Sequence, residues 1–308
     1  METRAIGSLQ ASVIGLGCNN FGRRLDFEGT QAVINAAWEV GINFFDTADV
    51  YGSGESEEFI GRALGSRRRE VVIASKFSGE MPGQGKGASP AYIRNAVEAS
   101  LRRLGTDYID LYQLHNPDPE VPIADTLDAL NELVQAGKVR EIGCSNFSAE
   151  QIREAEAAVK SGAARFVSVQ NEYSLLKRDS EREVLPECHR LGIAFLPYFP
   201  LAIGLLTGKY RHGQPAPEGT RITNNNANQV RWLTDENLAL VESLTSFAES
   251  RGHSLLELAF SWLLRWPAVA SVIAGAMRPE QVYANAAAAF WKLSEADLAE
   301  VDRILVPA

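Results

Sequence analysis

The sequence predicts one (β/α)8 barrel, and three observations lead there. Eight short strand-like runs recur along the chain, amphipathic helical stretches separate them, and 308 residues suit one large α/β domain. Parallel strands need crossover helices, and eight such units close on themselves. The runs are SVIGLG (12–17), INFFDT (42–47), VVIASK (71–76), YIDLYQLH (108–115), EIGCSN (141–146), FVSVQN (166–171), IAFLPY (193–198) and SVIAGA (271–276). Helical spacing between them is clear in Ile93, Val97, Leu101 and Leu104, and again in Leu127, Leu130 and Val134. Ser89 before Pro90, Ser148 with Gln151, and Ser254 with Glu257 mark helix starts. A single domain is expected over 1–308, interrupted by a Gly-, Pro- and Asn-rich loop from Leu201 to about Asp235 and closed by a short helical tail.

Composition narrows the function classes. A formal charge of -9 and a pI near 5.1 argue against a general nucleic-acid or anionic-membrane binder, which needs a basic surface. Cys18, Cys144 and Cys188 are few, odd in number and lack CxxC spacing, so no disulfide framework or zinc site is expected and a reducing cytoplasm fits. The N-terminus has no apolar signal core, and no run of about 18 apolar residues occurs. Nothing in the sequence sets an oligomeric state.

Strand alternation places the candidate chemistry. Asp46 shares a strand face with Phe44, Lys76 with Ala74, and His115 with Leu111 and Gln113, each at a C-terminal strand end. Tyr51 opens the loop beyond Asp46, so four polar groups from neighbouring strands are expected to meet at one rim. A phenol has an ordinary pKa of about 10. An ammonium beside it is expected to lower that value, and a carboxylate to hold the ammonium, making the tyrosine a usable acid and base. A histidine opposite would orient a carbonyl oxygen. Taken singly, each has a plainer reading: Asp46 and Lys76 as an ion pair, His115 as a hydrogen-bonded rim residue, Tyr51 as a packing aromatic. Their convergence on one rim favours catalysis. Trp232 and Phe21 are open between lining a substrate pocket and ordinary packing.

At these residues the chain resembles the aldo-keto reductase family over nearly its whole length. INFFDTADVYGSGESEEFIGRAL, IASKF, LYQLH and IGCSNF stand in the order of that family's strand-end motifs. The resemblance implies that Asp46, Tyr51, Lys76 and His115 are the catalytic tetrad, with Tyr51 the proton donor, and that NADPH (or NADP+), with NADH as the alternative, lies extended on the rim. GLGCNNFG has Asn20 where GxGxxG needs a third glycine, so no Rossmann fingerprint competes with this.

By the same resemblance Ser145, Asn146 and Gln170 hold the nicotinamide amide, and Tyr198 stacks on the ring. Cys18, Asn19 and Asp46 border it. Phe199, Pro200, Leu201, Gly204 and Lys209 would cover the diphosphate, with Leu201 and Gly204 offering backbone donors. Gly275, Met277, Arg278, Gln281 and Asn285 match the adenosine 2'-phosphate and adenine positions, and Arg221 is a further candidate. The chain departs from the family at Phe199, where many members have serine, and at Met277, where polar residues are common. No metal is needed. The implied activity is reduction of small aldehydes or ketones, in a pocket bounded by loops 77–90, 116–122 and 205–235. Two alternatives stand beside it: a cofactor-bound redox-sensing subunit, such as the potassium-channel β-subunits, and a Schiff-base lyase using Lys76.

Overall fold

The computed structural model describes residues 1–83 and 85–305; Gln84 of the expected pocket loop and residues 306–308 of the expected domain lie outside them. The described chain runs β1 (Thr3–Ile6), β2 (Leu9–Ser12), β3 (Ile14–Gly17), α1 (Phe27–Glu39), β4 (Phe44–Asp46), α2 (Glu55–Leu64), β5 (Val72–Phe77), α3 (Pro90–Leu104), β6 (Ile109–Leu114), α4 (Ile123–Gln135) and β7 (Val139–Ser145). It continues α5 (Ala149–Ala158), β8 (Phe166–Glu172), α6 (Val184–Leu191), β9 (Ala194–Tyr198), α7 (Asn226–Trp232), α8 (Asp235–Ser250), α9 (Leu255–Leu264), β10 (Val272–Gly275), α10 (Pro279–Ala287) and α11 (Glu295–Leu305). Strands β3 to β10 close a barrel in chain order, with β10 beside β3, and every pair in it is parallel. All eight expected strands are present.

Strand alternation builds two apolar layers. Phe44, Val72, Ala74, Leu111, Leu196 and Ile273 point into the barrel. Their neighbours Phe45, Ile73, Phe77, Tyr112, Leu114, Phe195 and Val272 point outward into the layer under the helices. Because the inner layer fills the barrel, the polar side chains one step further along the same faces can emerge only at its C-terminal mouth. All three helix starts read from the sequence are caps: Ser89 accepts from Tyr92 N, and Ser148 with Gln151 and Ser254 with Glu257 form complete capping boxes.

One element escaped the sequence reading. The antiparallel β1–β2 hairpin closes the opposite end of the barrel, with Ile6 and Leu9 packed beneath the inner layer. Its two-residue turn puts Gly7 at φ 57, and the Cβ of any larger residue there would meet the Glu141 carboxyl at 2.7 Å. Arg4 secures it by donating to the carbonyls of Val269 (2.6 Å) and Leu264 (3.1 Å). Phe21 and Trp232 are buried in the outer layer and do not border the large cleft, so both are packing residues.

Candidate active site

Short strand ends set the candidate reacting groups. β4 ends on Asp46, whose carboxylate takes Lys76 Nζ from β5 at 2.7 and 2.8 Å. The same ammonium donates to Thr47 O at 2.8 Å. Gln170 Nε2, on β8, donates to Asp46 Oδ1 at 2.7 Å. Lys76 is fully buried. Burial by itself would lower its pKa, but the Asp46 carboxylate and the adjacent Tyr51 outweigh that and leave the ammonium above its ordinary value. A buried ammonium with three acceptors has no lone pair to attack a carbonyl, which removes the geometric basis for the Schiff-base reading.

Tyr51 follows directly after the turn that leaves β4. Its N–H donates to Ala48 O, and Gly52 and Ser53 then take left-handed conformations before α2 begins. Lys76 Nζ lies 5.2 Å from the centre of the Tyr51 ring, and His115 meets that ring edge-on with centroids 5.9 Å apart. The ammonium does pull the Tyr51 pKa down, as expected, but its effect is not the largest one. Burial is the largest influence and raises it, and Lys76 offsets only part of that rise. The phenol is therefore held protonated at neutral pH. His115 moves the other way: burial, then the Lys76 charge, push it down to about 3, so the imidazole is neutral. Its Nδ1 has no hydrogen-bond partner among the described residues.

These side chains form one wall of a cleft of about 1040 Å³. Every residue expected to hold the cofactor borders it: Cys18, Asn19, Asp46, Ser145, Asn146, Gln170, Tyr198, Phe199, Pro200, Leu201, Gly204, Lys209, Arg221, Gly275, Met277, Arg278, Gln281 and Asn285. Lys76 does not reach the surface and lies behind Asp46 and Tyr51. A register shift between Ile142 and Cys144 in the β7–β8 pairing precedes Ser145 and Gln170, which then face each other in register. Ser145 Oγ donates to Gln170 O at 2.7 Å, and Tyr198 OH donates to Asn146 Oδ1 at 2.8 Å. With its side-chain N–H on Asp46, Gln170 has its side-chain Oε1 without a protein donor among the described residues, an acceptor of the kind a carboxamide N–H requires.

The far end of the cleft is built differently. Arg278 caps α10, and Pro279 opens that helix. The Met277 N–H donates to Gln281 Oε1 at 2.7 Å. The Arg278 guanidinium is exposed and faces Glu280 at a loose 3.8 Å. Between the two ends, Phe199, Ala202 and Ile203 all have positive φ, at 51, 45 and 50°. Three such non-glycine residues within five positions store strain of about 1–3 kcal/mol each, a feature that concentrates at ligand sites. Gly204 borders the cleft, but its N–H donates to Leu201 O at 2.8 Å. The expected Gly204 donor is thus committed within its own turn, and the residue offers close approach instead.

Two expected pocket loops are corrected as well. Among the described residues, neither 77–90 nor 116–122 contributes to the cleft wall. They fold on each other: Asp118 Oδ2 accepts from Ala88 N at 2.8 Å, and the Asn116 N–H donates to Ser78 Oγ at 3.2 Å. The loop after β3 takes their place with Asn20 and Arg24, alongside Gly219, Thr220, Arg221 and Asn224 of the long loop. The run GRR at 22–24 was the only available signal for this loop. Cys18, Cys144 and Cys188 are buried free thiols, and burial raises the pKa of each. Among the described residues no group of three or more His, Cys, Asp or Glu side chains could hold a metal, and no helix is long and apolar enough to cross a membrane.

Known proteins share both the sequence and this geometry. The Aldo/keto reductase family pattern matches residues 13–306. Aldo-keto reductase YhdN of Bacillus subtilis (strain 168) is 37% identical over 306 residues, which cover 96% of this chain and 91% of that protein. A probable voltage-gated potassium channel subunit beta of Arabidopsis thaliana is 37% identical over 296 residues, 92% of this chain and 90% of its own. The solved structure of the glycerol dehydrogenase AKR11B4 from Gluconobacter oxydans superposes with a TM-score of 0.85 at 32% identity, over 99% of this chain and 95% of that one. Agreement in sequence over almost the full length, and in fold over all of it, makes this chain a member of the aldo/keto reductase family and an NAD(P)H-dependent oxidoreductase.

Proposed function

We propose that the protein reduces small aldehydes or ketones to alcohols, with NADPH as reductant and Tyr51 as proton donor. The observation that carries this reading is geometric: Tyr51 and His115 meet edge-on in the cleft wall, backed by the buried Lys76–Asp46 pair, and burial favours the protonated phenol and the neutral imidazole. The nicotinamide cofactor supplies the hydride when bound. Carbonyl reduction needs a proton at the oxygen, and the Tyr51 hydroxyl carries one at neutral pH. Lys76 stabilises the phenolate that remains after transfer, because its charge stands against the ring. A neutral His115 offers a single N–H to the carbonyl oxygen without competing as an acid.

The donor set fits a nicotinamide cofactor. Ser145, Asn146 and the free carbonyl oxygen of Gln170 suit a carboxamide, and Tyr198, tethered through Asn146, presents a ring face beside them. The Arg278 guanidinium, only loosely engaged by Glu280, together with the start of α10, suits the 2'-phosphate that distinguishes NADPH from NADH. Three buried free thiols agree with a cytoplasmic location.

The deciding experiment follows NADPH consumption by the wild type and by Tyr51→Phe against a panel of aldehydes and ketones, with cofactor affinity measured in both. The variant is expected to keep NADPH affinity and lose about 10²–10⁴ in kcat. Equal rates in the two would remove Tyr51 from its role. The likeness to a potassium channel β-subunit supports a second reading, a cofactor-bound regulatory subunit. Slow turnover, NADPH retained through gel filtration and a stable co-purifying membrane protein would favour it.

A further inference from the structure

Tyr51 and Lys76 stand on different elements. Lys76 belongs to β5, whereas Tyr51 opens the turn of residues 51–54 that leads straight into α2. Whatever fixes the start of α2 against β5 therefore fixes the phenol against the ammonium.

The first turn of α2 makes that connection through two buried side chains, Ser56 and Glu57, neither of which borders the cleft. Ser56 Oγ donates at 3.0 Å to Cys18 O, just beyond β3. Its single proton is used there, so Thr47 Oγ1 is the donor in the 2.8 Å bond between the Thr47 and Ser56 hydroxyls. Thr47 O in turn accepts from Lys76 Nζ. Glu57 reaches further. Its Oε1 accepts from Ser75 Oγ at 2.5 Å, and its Oε2 accepts from Arg103 Nε of α3 at 2.7 Å. Ser75 shares the outward face of β5 with Ile73 and Phe77, and its neighbour Lys76 points inward to Asp46.

A glutamate at this place in a helix ordinarily serves the helix itself. Glu57 is the third residue of α2 after Gly54, the position from which a carboxylate reaches back to complete a capping box. Gly54 has no side chain for such a box, and Glu57 turns to β5 instead. The same glycine, at φ 102, admits Arg103: a Cβ there would stand 2.7 Å from Arg103 Cδ. The Glu57 side chain is fully enclosed, and a buried carboxylate is tolerated only where its oxygens are held. Both are held here. The bonds join the Tyr51 turn, β5 and α3 at one point behind the reacting pair.

We propose that Glu57, held by Arg103 and bonded to Ser75, is a positioning residue for the Tyr51–Lys76 pair. This rests on the reductase reading above. Lys76 offsets part of the rise that burial imposes on the Tyr51 pKa, and an effect of that kind weakens as charge and ring separate. Loosening the first turn of α2 leaves the phenolate formed on proton transfer less stabilised. Turnover then slows while the cofactor site stays intact.

The test uses Glu57→Ala, Glu57→Gln and Ser75→Ala. In each, kcat for carbonyl reduction, kcat for alcohol oxidation against pH, NADPH affinity and the urea midpoint are measured. We expect Glu57→Ala to lower kcat about tenfold and Ser75→Ala about threefold, with NADPH affinity within about twofold of the wild type. Glu57→Gln should recover most of the loss, because its Oε1 can face Arg103 while its amide donates to Ser75 Oγ. In oxidation Tyr51 must be ionised to take the alcohol proton. The acid limb of that profile should therefore move up by about half a pH unit or more in Glu57→Ala, and in the same direction in Ser75→Ala. A lower urea midpoint with kcat and the acid limb unchanged makes the set a structural tie only and overturns the proposal. So does a loss shared equally by kcat and NADPH affinity, which marks a general loosening of the rim. Should Glu57→Ala not fold, Ser75→Ala, which keeps the Glu57–Arg103 bond, decides by the same readouts. Failure of the reductase reading shows separately, as a wild type that turns over no carbonyl compound or a Tyr51→Phe variant as active as the wild type. The placement of Tyr51 is then read without turnover, from the NMR resonance of isotopically labelled tyrosine that Tyr51→Phe removes. A displaced resonance in Ser75→Ala upholds the positioning role, and an unmoved one ends it.

Discussion

The two sides of the cleft solve opposite problems. The strand ends at β4, β5 and β8 hold buried charge in a closed set of hydrogen bonds, with Lys76 fully enclosed by Asp46 and Thr47 O. The segment from Phe199 to Asn224 holds half-exposed side chains on a strained backbone, and its one cleft-facing arginine has no acidic partner among the described residues. Chemistry that needs fixed charge is rooted in the barrel, where neighbouring strands over-determine every position. Recognition that needs access and adaptability is placed on a loop.

The comparison breaks most severely where a buried charge loses its partner. Lys76→Met leaves the Asp46 carboxylate buried with only amide donors, from Gln170 at 2.7 Å and Gln113 at 3.5 Å. We expect a loss of about 3–5 kcal/mol in unfolding free energy, read from urea midpoints, together with near-complete loss of reductase activity. Asp46→Asn in the same background should recover part of the stability and none of the activity. A Lys76→Met protein as stable as the wild type would show that the pair is solvated after all.

Asp49 is the exception within the strand-end region and sharpens the contrast. It is buried, and neither carboxylate oxygen has a hydrogen-bond partner among the described residues. Burial, and then the neighbouring Glu57 carboxylate, push it up to about 7, with Arg103 and Lys76 opposing. A carboxyl whose folded pKa lies above its unfolded value of about 3.9 contributes stability below that value and loses it as pH rises through 7. Asp49→Asn should therefore gain on the wild type as pH rises, by about 2 kcal/mol or more between pH 5 and pH 8.5. Urea midpoints at those two pH values are the check, and a difference independent of pH would mean that Asp49 is ionised throughout.

How far the sequence revealed each region follows the same division. Strand alternation located Asp46, Lys76 and His115 on inward faces because the period of two is rigid, and the capping boxes at Ser148 and Ser254 are local chemistry. The β1–β2 hairpin stayed hidden because its strands are only four residues long, although Gly7-Ser8 between two alternating runs carried the turn signal. The lowering effect of Lys76 on Tyr51 was legible, but the larger opposing effect of burial was not, because burial depends on every neighbour and the sequence exposes only the ammonium. Arg24 was missed because its position depends on how one loop rests on another, which no periodicity encodes.

The mildest test concerns the strained side. Ile203 is β-branched and sits at φ 50, a conformation that costs such a residue about 1–2 kcal/mol. It is held there by Gly204 N and Leu206 N, both donating to Leu201 O, and by the buried side chains of Ala202, Leu205 and Leu206 around it. Ile203→Gly relieves that strain, yet it also loosens the unfolded chain and removes an apolar side chain from the cleft wall. The stability terms oppose each other, so the unfolding free energy of the ligand-free protein should change by less than about 1 kcal/mol. Cofactor affinity has no such compensation, because the strain persists only while the turn is locked in its binding shape. We expect NADPH to bind about three- to tenfold more weakly to Ile203→Gly, measured by fluorescence titration. Unchanged affinity with a clear gain in stability would make the strained turn incidental to binding, and the two sides of the cleft would then differ only in burial.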